Sequence, residues 1–345
     1  MTVIAVAGGT GGVGRTIVET LLEETTHKII ILTRSVRNSS PSSASKYITP
    51  EPQTTDPTTT GLMLTQTPQD PPTSRIHHLQ INYSDIPALA HLLTTQGITT
   101  IISAIGITTP ETSQAQLNLI DAAEQSPTVT RFLPSEYSFI QTADRLDIDP
   151  SIKHWLAAAH KLQHDAPSLK STRVIPGFFM DYWGMPHART HLQPGVFGID
   201  VQNGRAAIPG DGNDRLCMTY TYDMARFVVR LLEEVDAAEW PEFSVVVGDV
   251  VTYNQLLEMV EEVRGREFSV MYDSPEKINQ GQVTVPAIPE GYTEEEAHEV
   301  TVLVSRLTIA GVFDLPVEGR LNERFPEIEP VKVREFLVDA WKGRD

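Results

Sequence analysis

Cysteine is nearly absent: Cys217 stands alone in 345 residues. One thiol can form neither an internal disulfide nor a cysteine-built metal site, which fits a reducing, intracellular setting. Basic residues are also scarce, with 27 Lys and Arg against 45 Asp and Glu and a net charge of −18. Nucleic acid and anionic membranes bind through basic patches, so this balance argues against both as partners. It does not forbid a local basic pocket for one phosphate. No apolar run approaches the roughly 20 residues that span a bilayer. The opening Met1-Thr2-Val3-Ile4-Ala5-Val6 lacks the basic region and apolar core of a signal peptide. The expectation is a cytosolic protein that handles a small molecule; no feature assigns an oligomeric state.

What is present is a 40% hydrophobic chain in which strand-like and helix-like segments alternate. That order predicts a doubly wound α/β fold, a parallel sheet covered by helices on both faces. Strands are expected at 3–7, 28–33, 76–81, 100–105, 130–134 and 172–175. Helices are expected at 13–24, 86–95, 113–124 and about 150–164, the last capped by Asp149 with Pro150 at its first position. Ser, Thr and Pro dominate from Asn38 to Ser74, which reads as a mobile surface insertion. Residues 1–176 form the expected Rossmann domain, with 38–75 as its insertion. Residues 177–345 form a smaller, mainly substrate-binding lobe. Some of its segments return to the sheet: a strand at 244–247 and helices at 222–234 and 253–263, the latter capped by Thr252.

The strongest signal is Gly8-Gly9-Thr10-Gly11-Gly12-Val13-Gly14, placed between the first strand and the first helix. Glycines let the backbone turn sharply and approach a pyrophosphate, while the helix N-terminus offers free N–H donors and a positive dipole. At the end of the second strand, where such folds meet the adenosine ribose, the chain reads Leu32-Thr33-Arg34-Ser35, with Arg37 nearby. An acidic residue there would bind a free ribose hydroxyl. A guanidinium instead suits a phosphate and can stack on adenine, which selects NADP(H) over NAD(H).

These segments carry a resemblance. Together with Arg131-Phe132-Leu133-Pro134-Ser135-Glu136-Tyr137, Pro176-Gly177-Phe178-Phe179-Met180-Asp181-Tyr182 and Ala207-Ile208-Pro209-Gly210-Asp211-Gly212, they are similar to the NmrA-like, isoflavone-reductase-like family. That family belongs to the atypical short-chain dehydrogenases, and the likeness is to its fungal members. The resemblance implies that Ser103, Ala104, Ile105 and Gly106 run along the cofactor's ribose and nicotinamide, with Gln114 nearby. It implies that Pro134, Ser135, Glu136 and Tyr137 form the loop beneath the nicotinamide. Gly177, Phe178 and Phe179 would then border nicotinamide and substrate. All of these follow strand C-termini, where doubly wound sheets bind ligands.

Reductases of this family use a lysine early in the helix after the Pro-Ser-Glu loop. Its position falls here near Leu156 or Ala157, neither of which can hold substrate oxygen or relay a proton. Lys153 and Lys161 flank Ala157 on the same helical stripe. Lys153 sits nearer the strand ends, and Lys161 about 12 Å further along at 1.5 Å per residue. Lys153 is therefore preferred over Lys161, with Tyr137 as the next donor. Glu136, Phe179, Asp181, Tyr182 and Trp183 are the expected substrate contacts, in an aromatic-rich stretch suited to a bulky aromatic or polycyclic ligand. His187 and His191 come with no further ligand set, so no metal is expected.

Three functions are compatible with these residues. The first is an NADPH-dependent reductase of a specialised metabolite, acting on C=C, C=N or C=O. The second is a cofactor-dependent cyclase or isomerase. The third is an NADP(H) sensor that binds a protein partner without turnover. The aromatic-rich C-terminal half favours catalysis over sensing.

Overall fold

The computed structural model describes residues 2–34 and 75–344. Ser35, Arg37 and the expected insertion up to Ser74 lie outside the described residues.

The chain begins β1 (Val3–Ala7), α1 (Gly12–Glu24), β2 (Lys28–Thr33), β3 (Ile76–Gln80), α2 (Ile86–Thr95) and β4 (Thr100–Ser103). It continues through α3 (Pro110–Gln125), β5 (Arg131–Leu133), α4 (Lys153–His164), β6 (Lys170–Ser171) and β7 (Arg173–Ile175). Beyond Gly177 come β8 (Phe178–Phe179), α5 (Asp181–Gly184), β9 (Ile199–Asp200), β10 (Arg205–Pro209), β11 (Arg215–Thr219) and α6 (Thr221–Glu234). Then follow β12 (Phe243–Val245), β13 (Asp249–Thr252), α7 (Tyr253–Arg264), β14 (Ser269–Asp273) and α8 (Pro275–Asn279). The last helices are α9 (Glu294–Ile309), α10 (Leu321–Arg324) and α11 (Val333–Trp341).

Six strands form one parallel sheet in the order β3-β2-β1-β4-β5-β6. Strand residues alternate between its faces. Ile4, Val6, Ile29 and Ile31 point to the side packed by Ile17 and Leu21 of α1 and by Phe227 and Leu231 of α6. Ala5, Ala7, Ile30 and Leu32 point the other way, onto Leu89 and Leu93 of α2, Leu119 of α3 and Leu162 of α4. Apolar residues at the four consecutive positions Ile29–Leu32 of β2 thus reflect burial on both faces. The doubly wound α/β fold is the one expected.

The second half adds smaller sheets: β14-β10-β9, β13-β11-β8, and β12 paired in parallel with β7. A third apolar cluster fills the space between them, joining Phe178 and Trp183 to Tyr253, Phe313 and Trp341. Local chemistry sets the helix starts. The Asp149 side chain accepts from Ser151 N at 2.9 Å and caps a short 3-10 turn that leads into α4. Thr252 caps α7 by accepting from Gln255 N at 3.2 Å, and Gly265 ends that helix in the left-handed conformation.

Candidate functional site

The C-terminal ends of β1, β2, β4 and β5 lie side by side, because parallel strands all point one way. The glycine loop follows β1. Gly8 adopts φ 76°, and a Cβ there would sit 2.4 Å from the Ala104 carbonyl oxygen. A Cβ on Gly14 would lie 2.3 Å from the Gly8 carbonyl oxygen. The loop is therefore folded tightly against the residue after β4, and any side chain at either position would prise it open. Gly11 is the N-cap of α1 and brings no side chain to the helix end, which leaves the first amides of the helix aimed at the loop's mouth. A Cβ on Gly106 would meet nothing within 4 Å, so the chain after β4 borders open space. The hydroxyl of Ser103, at the end of β4, is buried with no hydrogen-bond partner among the described residues.

Arg34 closes β2 and is exposed, with Gln80 donating to its backbone carbonyl at 3.2 Å. The Tyr83 phenol is pushed up to about 12 by burial, with the positive charge of Arg34 opposing the shift. Arg34 and Tyr83 therefore share one corner, at the mouth of the β2 end. Gln114 is exposed on α3, and its amide donates to Asn118 at 2.8 Å. Gln116 is the glutamine that reaches inward: its carbonyl accepts from Ser135 N at 2.9 Å and fixes the loop after β5. A polar side chain on the apolar stripe of α3 must find a partner, and that stripe was the signal available in the sequence.

The loop from Pro134 to Tyr137 is held from beneath. Tyr137 donates its hydroxyl to the Ser103 carbonyl at 2.9 Å and is 8% exposed, and burial pushes its phenol well above the ordinary range. Glu136 is buried and takes a two-pronged contact from Arg173 on β7. Arg173 also stacks over the ring of Phe243, 4.5 Å from its centroid. Both residues are fully engaged as supports.

On α4, Lys161 is paired with Asp121 of α3 at 2.7 Å. Lys153 is the exposed first residue of α4 and makes no ion pair among the described residues. Leu156 packs onto the apolar cluster of the second half, and Ala157 is exposed.

Gly177 has φ 71°, and a Cβ there would meet the Cys217 carbonyl oxygen at 2.2 Å. It brings β8 against β11, and the next two residues diverge as strand residues must. Phe179 packs into the sheet core beside Tyr137 and Leu133. Phe178 enters an aromatic group with Trp183 at 5.0 Å, Phe197 at 5.2 Å, Phe313 at 4.9 Å and Tyr182 at 6.3 Å between centroids. Trp183 is sealed in the core at 1% exposure. Asp181 is fully buried and accepts from Thr190 Oγ1, Thr221 Oγ1 and Thr221 N at 2.7, 2.6 and 3.0 Å. Burial pushes its carboxyl up while these donors oppose the shift. Asp181 thus supplies the cap of α6 that Tyr220 does not.

Beside this aromatic group Gly195, Val196, Phe197, Ala287, Pro289, Tyr292, Ala297, Val300 and Thr301 meet in a packed seam whose remaining space, about 10 Å³, holds no more than one water. Tyr182 stands against Phe197 at 4.6 Å and bridges this seam to Phe178. No lining residue carries a charge. Sequence reasoning missed the 287–301 wall. The apolar run Val285-Pro286-Ala287-Ile288-Pro289, which two prolines bar from helix, was the signal that something apolar needed covering.

Comparison with known proteins matches these features. The oxidoreductase swnN of Metarhizium robertsii is 29% identical, covering 99% of this chain and 98% of that protein. The oxidoreductase BOA1 of Botryotinia fuckeliana is also 29% identical, covering 98% and 99%. Among solved structures, the binary complex of leucoanthocyanidin reductase with NADPH from Vitis vinifera superposes with a TM-score of 0.65. It is 15% identical and covers 98% of both chains, a likeness of fold. The NmrA-like family profile matches residues 1–337, and the chain belongs to the NmrA-like family.

Proposed function

We propose that this protein is an NADP(H)-dependent oxidoreductase that exchanges hydride with a small or medium-sized organic molecule, an aromatic or polycyclic specialised metabolite with a C=C, C=N or C=O bond. The observation that carries the reading is the glycine loop closed onto Ala104, with Arg34 at the neighbouring strand end. Relatives named as oxidoreductases over nearly the whole chain, and the NADPH complex of a protein with the same fold, support it.

When bound, the nicotinamide supplies the hydride. The amides of the first turn of α1 would hold the pyrophosphate, and Arg34 the extra phosphate of the adenosine ribose. The buried Ser103 hydroxyl, unpartnered among the described residues, would take a hydrogen bond from or give one to the ribose side of the cofactor. Gly106 leaves room for the cofactor beside it. Glu136 and Tyr137 hold the loop beneath the nicotinamide rigid and keep their own polar groups occupied.

Proton supply is the narrow point. Lys161 is taken by Asp121 and Tyr137 by Ser103, which leaves Lys153, without an ion pair among the described residues, to meet a substrate oxygen. An acceptor that is already activated, such as an iminium ion, needs only hydride and dispenses with that group. Loss of reduced-nicotinamide absorbance, followed with cyclic imines, enones and ketones in parallel, tests the reading. Turnover of one class with NADPH is expected. Tight NADPH binding with no turnover of any class, together with capture of a protein partner, would instead identify a sensor.

A further inference from the structure

The chain has four tryptophans, and three are sealed: Trp183 and Trp341 are 1% exposed and Trp240 is 9% exposed. The fourth, Trp155, is only part-buried, although it sits on the inward side of α4. Ala158 and Leu162, one and two turns further along the same stripe, pack into the sheet core. Ile152, one turn before, and Leu156 pack into the apolar cluster of the second half. Trp155 lies between these two contacts and joins none of the three apolar clusters. Among the described residues its indole N–H donates to no group and its ring meets no other ring. An indole that faces inward and finds no such neighbour borders space that the described residues do not fill.

The neighbouring helix fixes its height. α3 and α4 both cross back between parallel strands and so run in the same direction. Asp121 of α3 pairs with Lys161 of α4 at 2.7 Å. Trp155 lies about 9 Å from that pair toward the start of α4, at 1.5 Å per residue. The same distance back along α3 reaches Ala115, beside Gln116, whose carbonyl accepts from Ser135 N at 2.9 Å. Trp155 therefore stands level with the loop that follows β5, the one proposed to lie beneath the nicotinamide. Gly106, where a Cβ would meet nothing within 4 Å, leads into the start of α3 at the same end of the sheet.

We propose that Trp155 is the platform on which the substrate lies, a specificity-determining residue whose indole stacks against a flat unsaturated ring, aromatic or iminium. This proposal rests on the NADP(H)-dependent function argued above. An indole face is large and electron-rich, so it holds a flat ring by its face and draws a cationic ring more strongly than a neutral one. Stacking also fixes the plane of the ring, and with it the face that a hydride meets.

The test uses the full chain, NADP⁺ and N-methylquinolinium, a flat aromatic cation with a C=N⁺ bond that the oxidised cofactor cannot reduce. Acrylamide should quench tryptophan emission of the parent. The quenchable part should vanish in Trp155→Phe, since the other three tryptophans are sealed. Calorimetry on NADP⁺-saturated protein should show N-methylquinolinium bound by the parent and weakened roughly five- to tenfold in Trp155→Ala. Trp155→Phe keeps a ring to stack on, so its loss should stay below about threefold, and NADP⁺ itself should bind all three proteins within about threefold. Three results would each overturn the platform and leave the cofactor reading standing: parent emission that acrylamide cannot reach, no binding of the probe to the NADP⁺-saturated parent, or equal binding to parent and Trp155→Ala. Shielding from acrylamide that rises with protein concentration would assign this face to a second copy and overturn it as well. No NADP⁺ binding by folded parent protein would overturn the cofactor reading itself.

Discussion

The guanidinium of Arg173 grips both carboxylate oxygens of Glu136, inside the protein and directly under the loop that follows β5. A further bond from Arg173 to the Gln141 carbonyl at 3.1 Å ties the next stretch of the same loop. Two charges this deep are stable only together. Arg173→Met is expected to cost about 3–5 kcal/mol, because it strands a buried carboxylate. Chemical denaturation checks this. A loss below about 1 kcal/mol, the range of an exposed pair, would show that water reaches Glu136.

Gly14→Ala should damage nucleotide binding before it damages the fold. The added Cβ would lie 2.3 Å from the Gly8 carbonyl oxygen, so the loop must open to admit it. Strain of about 1–3 kcal/mol is expected for such an insertion. That corresponds to a loss of NADPH affinity of roughly five- to a hundredfold at 1.4 kcal/mol per decade. A Cβ at Gly106 meets no protein atom within 4 Å, so Gly106→Ala should leave stability unchanged, and a loss of NADPH affinity there would mark the path of the cofactor.

Cofactor preference should turn on Arg34. A hydrogen bond to a charged group contributes about 1.5–3 kcal/mol, so Arg34→Ala should weaken NADPH by roughly ten- to a hundredfold. NADH, lacking the extra phosphate, should change little. Equal loss for both cofactors in a titration would place Arg34 on the adenine alone.

Lys153 and Lys161 should behave differently. Lys161→Ala removes a partly exposed pair with Asp121 and should cost no more than about 1 kcal/mol of stability. Lys153→Ala should lower kcat for a ketone or enone, which needs a proton or a hydrogen bond at oxygen. It should spare an iminium acceptor. Unchanged kcat on every substrate class would remove Lys153 from the mechanism.

Acid should loosen the anchor of the 189–192 segment. Burial pushes the Glu19 carboxyl up, yet hydrogen bonds from Tyr222, His191 and Arg189 outweigh it and hold the group at about 2, below its ordinary 4.5. The folded state therefore favours the ionised form. Its contribution is complete above pH 4.5 and is lost as pH falls toward 2. Glu19→Gln should flatten the stability-against-pH curve in that window, measured by denaturant midpoints. An unchanged slope would mean that other carboxylates dominate acid unfolding.

The sequence by itself determined whatever depends on neighbours along the chain. Four consecutive apolar residues in β2, Ile29–Leu32, required burial on both faces, and Gly8, Gly11 and Gly14 at the junction of a strand and a helix required a bare turn against a helix end. Asp149 and Thr252 announced their helix starts, and each caps the helix or turn it precedes. Tertiary structure decided the partners. Nothing local says that Glu136 meets Arg173 thirty-seven residues later, that Gln116 rather than Gln114 turns inward to Ser135, or that Asp181 caps a helix forty residues away. Nor does spacing reveal that α9 and the proline-broken run before it pack against Phe197. Turns and caps answer to backbone geometry within a few residues. A buried polar group must instead find whatever donor or acceptor the packed fold brings near, and only the assembled chain supplies that neighbour.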